Sequence, residues 1–100
     1  MSKTPESAVL KSVLDYLAAK HVFAMRMNTG AVRMDDKRFM RFGTPGCADV
    51  LAFPLGGPVS WVECKAPGGK QSALQKSVQA KVESEGHRYI LCFSIDDLVL

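Results

Sequence analysis

The stretch Val50-Leu51-Ala52-Phe53-Pro54-Leu55-Gly56-Gly57-Pro58-Val59-Ser60-Trp61-Val62 constrains this chain more than any other. Two runs rich in strand-forming residues flank a cluster of prolines and glycines, which reads as strand, turn, strand. A hairpin folded about Gly56 pairs position i with position 112 − i, so Phe53 faces Val59, Leu51 faces Trp61 and Asp49 faces Glu63. Directly opposed side chains in an antiparallel pair lie ~5 Å apart at Cβ. Residues two apart on a strand share a face, so Lys65 joins the same surface. One face of the hairpin is thus apolar near its turn and carries Asp, Glu and Lys at its open end.

Two opposed carboxylates suit a hard divalent ion such as Mg²⁺, with Mn²⁺ as a substitute, because such ions take oxygen ligands and keep several waters. Asp49 and Glu63 are the candidate metal ligands, and the backbone carbonyl of Cys64 between the functional side chains is a third. Lys65 is placed to orient or help deprotonate an attacking water, or to offset charge building on a phosphorus centre. Each role has a plainer rival. Asp49 also reads as the end of a loop, and Glu63 with Lys65 as an ion pair on an exposed strand.

Thr4-Pro5 reads as a helix start, with a hydroxyl N-cap and proline at the first helical position. Leu10, Val13, Leu14 and Leu17 form the apolar stripe that follows, and the helix is expected to end near Lys20-His21. Glu6 falls in phase with that stripe, which aims a carboxylate inward and makes it a further acid for the pocket, as a ligand or through water. A favourable acid in a first turn is the simpler alternative. From His21 to Asn28 the residues alternate, with Phe23, Met25 and Met27 on one face and Arg26 and Asn28 projecting together on the other. The segment 31–46 has Asp35-Asp36, basic residues and three breakers, and is expected to be a loop or short strand over the surface. Pro67-Gly68-Gly69 stops the second hairpin strand. Ser72-Ala73-Leu74-Gln75 is a capping-box pattern, Leu74, Val78 and Val82 form the ridge of the helix it opens, and Gly86 ends that helix. Gln75 is a candidate for hydrogen bonding to the attacking water or to Lys65, unless it serves only the cap. Arg88–Phe93 is expected to be a buried last strand, with Ser94 capping a short terminal helix through Leu98. The expected fold is α/β (α+β) in the order α-β-β-β-α-β, with a central mixed sheet flanked by helices, as a single domain over residues 1–100.

Net charge is only +3, but its distribution is uneven. Arg26, Arg33, Lys37, Arg38 and Arg41 stand against Asp35 and Asp36, and four lysines (Lys65, Lys70, Lys76 and Lys81) occur from 65 to 81 without an acid. Such segments supply a positive surface around an acidic pocket, as a phosphate polymer requires. Arg26, Asn28, Arg33, Lys37, Arg38, Arg41, Lys70 and Lys76 are the candidate DNA contacts. Solvated lysines on a helix and a loop are the alternative. The three cysteines Cys47, Cys64 and Cys92 contain no CxxC, so buried thiols are expected, together with hydrogen-bonded histidines at His21 and His87. No apolar run follows the basic start and no stretch reaches the roughly 20 apolar residues of a membrane span, so a cytoplasmic chain with no membrane role is expected.

Taken together, Gly46-Cys47-Ala48-Asp49, Glu63-Cys64-Lys65-Ala66-Pro67-Gly68-Gly69-Lys70 and Ser72…Gln75 resemble the VRR-NUC domain (virus-type replication-repair nuclease) of the PD-(D/E)-x-K nuclease superfamily. Glu6 in the first helix, Arg26-Met27-Asn28-Thr29-Gly30, Arg41-Phe42-Gly43 and Ser94-Ile95-Asp96-Asp97-Leu98 extend the likeness over nearly the whole chain. The family often has proline just before the aspartate, where this chain has Ala48. The resemblance implies a restriction-endonuclease-like core, Asp49 and Glu63 as metal ligands, Lys65 as the superfamily lysine, Glu6 as the helix-borne acid and Gln75 as the helix polar group. It further implies a phage or bacterial homodimer that cuts branched DNA, notably four-way (Holliday) junctions, with Mg²⁺ and no small-molecule cofactor. A dimer also suits two symmetric cuts across a junction. Two rivals remain: a DNA-binding module of the same fold without turnover, and a base-reading restriction-type enzyme, for whose recognition insert 100 residues leave no room.

Overall fold

The computed structural model describes residues 4–27, 30–33, 39–42 and 45–100, the two middle stretches in their backbone alone. The elements are α1 (Glu6–Ala19), β1 (Phe23–Arg26), β2 (Gly30–Arg33), β3 (Phe39–Phe42), β4 (Val50–Phe53), β5 (Ser60–Cys64), α2 (Ala73–Ser84), β6 (Arg88–Cys92) and a 3₁₀ turn, Ile95–Asp97. Four strands form one mixed sheet in the order β1-β4-β5-β6, antiparallel except for the parallel β5–β6 pair. Parallel neighbours need a crossover, and α2 supplies it. The α+β class holds, but the order along the chain is α-β-β-β-β-β-α-β rather than α-β-β-β-α-β, because two further strands stand between β1 and β4. The segment 31–46, expected to be a loop or short strand, holds two short strands rather than one. β2 and β3 pair as a separate two-stranded ribbon, Gly30 with Phe42 through Arg33 with Phe39. Charged residues interrupt the alternation there, which hides the pairing from a reading by period.

The hairpin register is the one the sequence dictates: Val50 pairs with Val62, Leu51 with Trp61 and Ala52 with Ser60. Pro54 O accepts from Gly57 N at 3.1 Å, and Gly56 has φ +73°, the left-handed conformation this turn position demands. Even-numbered residues of β4 and β5 face α1, where Val9, Val13 and Leu17 pack on Val50, Ala52, Val62, Cys64 and Cys92. Each fully buried Val or Leu contributes roughly 1.5–3 kcal/mol. Odd-numbered residues face α2, where Trp61 and Val78 pack on Ala48, Val82 and Tyr89. The sheet therefore lies between the helices, and Glu63 belongs to the α2 face, with Asp49 and Lys65 just beyond the strand ends.

Several expectations are corrected in detail. Pro5, not Thr4, occupies the N-cap of α1, with no side-chain cap. Its extended backbone (ψ 157°) starts the helix one residue later, and its carbonyl accepts from Ala8 and Val9. Leu74 is 51% exposed, so only Val82 of the expected α2 ridge is buried. The helix start overhangs the sheet there and covers Gly46 instead, where a Cβ would lie 2.8 Å from Leu74 Cγ. β6 is an edge strand, with Tyr89 and Cys92 buried and Ile90 and Leu91 half-buried. Among the described residues no helix is long and apolar enough to cross a membrane.

Both helices end in Schellman geometry. At α2 the pairs Gly86 N to Glu83 O and His87 N to Val82 O close the end, with Gly86 at φ +86°. At α1 the pairs His21 N to Ala18 O and Val22 N to Leu17 O do the same, but the left-handed residue is His21 at φ +57°. A β-carbon is unfavourable there. His21→Gly is expected to stabilise the protein by about 0.5–1 kcal/mol, raising the midpoint of thermal unfolding by a few degrees in a circular-dichroism melt.

Candidate active site

Asp49 sits where β4 begins, and its position follows from where that strand stops. Continuing the ladder would oppose Cys64 with Ala48, but β4 starts at Val50. The Cys64 N–H therefore donates to the Asp49 side chain, with Oδ2 at 2.8 Å. The Asp49 carbonyl in turn accepts from Met27 N at 2.7 Å, which ties this corner to β1. In a strand the N–H and C=O of one residue leave on the same side. The Cys64 carbonyl, a predicted ligand, thus opens toward the Asp49 corner.

Glu63 is fully buried. Its Oε1 accepts one hydrogen bond from the Tyr89 hydroxyl and a second from Gln71 Nε2 at 3.3 Å. Gln71 is itself oriented by Gln79, whose Oε1 accepts from the same Nε2 at 2.9 Å. The other carboxylate oxygen, Oε2, is buried and has no hydrogen-bond partner among the described residues. Lys65 Nζ lies 3.8 Å from it, and 4.0 Å from Glu6 Oε1 on the far side. At these separations the ammonium supplies charge to both acids without hydrogen-bonding either. Burial, and then the bond to Glu63, push the Tyr89 phenol above its ordinary value, so it stays a donor at neutral pH. Burial also pushes the Cys64 thiol up to about 12 and Cys92 up to about 11. Both remain neutral thiols, whereas Cys47 is half-buried, its thiol raised by burial and by the Asp49 charge.

The hairpin and the first helix turn therefore bring Asp49, Glu63, Lys65 and Glu6 to one end of the sheet. Glu6 was expected to be inward-facing, yet its side chain is 54% exposed, and Lys65 stands between it and Glu63. It contributes to the cluster by pairing with Lys65. Gln75 does not reach the carboxylates. Its Oε1 accepts from Ser72 N at 2.9 Å and its N–H donates to Ser72 Oγ at 3.1 Å, which closes the capping box. Gln71, one residue before that cap, is the glutamine that reaches the site, and it bonds Glu63 rather than Lys65. Tyr89 and Gln71 escape a sequence reading for different reasons. The parallel register that sets Tyr89 beside Trp61 is fixed by a crossover helix, and Gln71 lies in a loop without a periodic signal.

The candidate DNA contacts scatter. Arg26 is exposed, but it pairs with Val50 and so belongs to the α1 side of the sheet, opposite the carboxylates. Lys70 and Lys76 are exposed, at the β5–α2 turn and on α2. Arg33 and Arg41 belong to the β2–β3 ribbon, two register positions apart, while Asn28, Lys37 and Arg38 lie outside the described residues. His21 and His87, expected to be hydrogen-bonded, are both exposed. Among the described residues no three His, Cys, Asp or Glu side chains converge to hold a metal ion. Two carboxylates and a main-chain carbonyl are a sparse set, of the kind with which Mg²⁺ keeps waters and takes substrate oxygens. No protein-family model matches the chain, and no curated protein or solved structure does so either.

Proposed function

We propose that this chain is a Mg²⁺-dependent, structure-selective DNA endonuclease that hydrolyses phosphodiesters in branched DNA such as a four-way junction. The observation that carries the reading is Glu63 Oε2, a buried carboxylate oxygen without a hydrogen-bond donor among the described residues. An anionic oxygen removed from water is costly unless something satisfies it. A buried hydroxyl, Ser60 Oγ, is also unpartnered among the described residues, but it carries no charge and faces α1. Glu63, Asp49 and the Cys64 carbonyl are the residues that would hold a divalent cation, since such ions take hard oxygen ligands. When bound, such an ion acts as a Lewis acid toward a phosphodiester oxygen and toward water.

The remaining roles belong to the chain. Tyr89 and Gln71 hold Glu63 by one oxygen and leave the other directed at the site. The Cys64 N–H fixes Asp49 in the same way. Lys65 orients water for attack on phosphorus and offsets charge as the new P–O bond forms and the ester P–O bond breaks. Glu6 holds the ammonium from the other side. Phosphate contacts dominate such an interface, so DNA shape governs selection more than base sequence does. Two sites related by a twofold axis make a homodimer the natural form for paired cuts.

A second reading is a DNA-binding module, favoured by the same hydrogen bonds on Asp49 and Glu63, which also make a structural network. An end-labelled four-way junction separates the two. The expected result is nicking at the branch with Mg²⁺ and none with EDTA. Equal binding under both conditions, with no nick in either, would establish the module instead.

A further inference from the structure

We propose that the cleft between β5 and α2 receives one unpaired nucleobase from the DNA strand crossing the carboxylates. This rests on the nuclease reading and specifies how a branched substrate is recognised. The cleft has a volume of about 320 Å³, and its described lining is Met27, Cys47, Trp61, Val78, Lys81 and Val82. That size lies at the small end of the range for ligand sites.

Three observations select the occupant. The first is continuity with the candidate active site. Trp61 precedes Glu63 by two residues on the same strand and face, a separation of ~6.7 Å, and Cys47 precedes Asp49 by two. A base in the cleft therefore sets its own phosphodiester beside Glu63 and Lys65. The second is shape and polarity. An indole with valine and methionine neighbours offers an apolar platform for a flat heteroaromatic ring, and base stacking on such a platform does not depend on sequence. The third is charge. Lys81 is the one charged residue among the described lining, and it is a cation. Its 3.0 Å pair with Glu85 is a solvent-exposed helix pair that a phosphate readily displaces. Extruding a base costs least where it is already unpaired, so a pocket of this kind favours branch points and single-stranded gaps over intact duplex.

Trp61 is the only tryptophan of the chain, so its emission reports on the cleft directly. The test titrates the protein, in EDTA, with a single-stranded oligodeoxynucleotide and with a matched oligonucleotide carrying abasic positions. The first is expected to quench Trp61 saturably. The second, with the same phosphates, is expected to bind roughly 5- to 150-fold more weakly and without quenching. Val78→Phe, which fills the cleft and leaves Trp61 in place, is expected to erase that difference. Equal affinity for the two oligonucleotides with unchanged emission overturns the proposal. So does an emission change that follows protein concentration alone and tracks dimer formation in sedimentation, because a second copy then occupies the cleft. No turnover is needed in this assay. Cleavage of junctions without quenching sinks the pocket alone, whereas quenching without any cleavage in Mg²⁺ sinks the nuclease reading.

Discussion

Glu63→Gln and Asp49→Asn are each expected to slow Mg²⁺-dependent cleavage of a four-way junction by about 10³-fold or more, with the fold intact. Both substitutions keep shape and hydrogen bonding and remove charge. An amide oxygen at position 63 still accepts from Tyr89 and Gln71, and one at position 49 still accepts from the Cys64 N–H. What each variant loses is an anionic oxygen, and hard divalent ions depend on those. Lys65 keeps Glu6 as a partner in the Glu63 variant. Single-turnover cleavage gives the rate of the chemical step, and circular dichroism checks the fold. A folded variant that cuts at the wild-type rate would remove its residue from the mechanism. If both cut normally, the assignment of this site ends.

The parts of this arrangement that are legible in the sequence are those written in local chemistry. Gly56 and its neighbouring prolines locate the turn, and a period of two carries the register outward as far as Val50 and Val62. The counted pairing of Asp49 with Glu63 lies beyond the end of the ladder, where Asp49 accepts from the Cys64 N–H instead. Ser72 with Gln75 and Gly86 mark the ends of α2 for the same reason, since caps depend on residues three or four apart. The contacts that complete the site are long-range. Tyr89 meets Glu63 only because α2 carries the chain across to a parallel neighbour, and neither strand encodes that offset. Glu6 shows a third limit. Helical phase puts it in line with the buried Val9, Val13 and Leu17, but phase alone does not give burial, and its side chain is 54% exposed beside Lys65. Gln75 was legible twice over, as a cap and as a candidate for the site, and the capping geometry occupies its carbonyl oxygen.

Lys65→Met is expected to destabilise the metal-free protein by about 2–3 kcal/mol, a large effect for one side chain at the edge of a site. Removing one partner of a buried ion pair leaves the other charge uncompensated, which costs ~3–5 kcal/mol when solvent is excluded. Lys65 retains 14% side-chain exposure and Glu6 is half in water, so some of that cost is screened. The Glu63→Gln/Lys65→Met double variant should recover most of the loss, because no buried charge then remains. That non-additivity, read from urea midpoints at constant m value, measures the coupling between the two groups. Divalent cation separates a catalytic design from a purely structural pair. If oxygens of Glu63 and Asp49 hold Mg²⁺, adding it should stabilise Lys65→Met by RT ln(1 + [Mg²⁺]/Kd), about 2.7 kcal/mol at a hundredfold excess over Kd. The double variant, which has neither the carboxylate nor the ammonium, should gain little. A Lys65→Met protein as stable as wild type would mean that Glu63 is not held as a buried anion. A destabilised one indifferent to Mg²⁺ and Mn²⁺ would leave the ion pair as structure and take the metal out of the site.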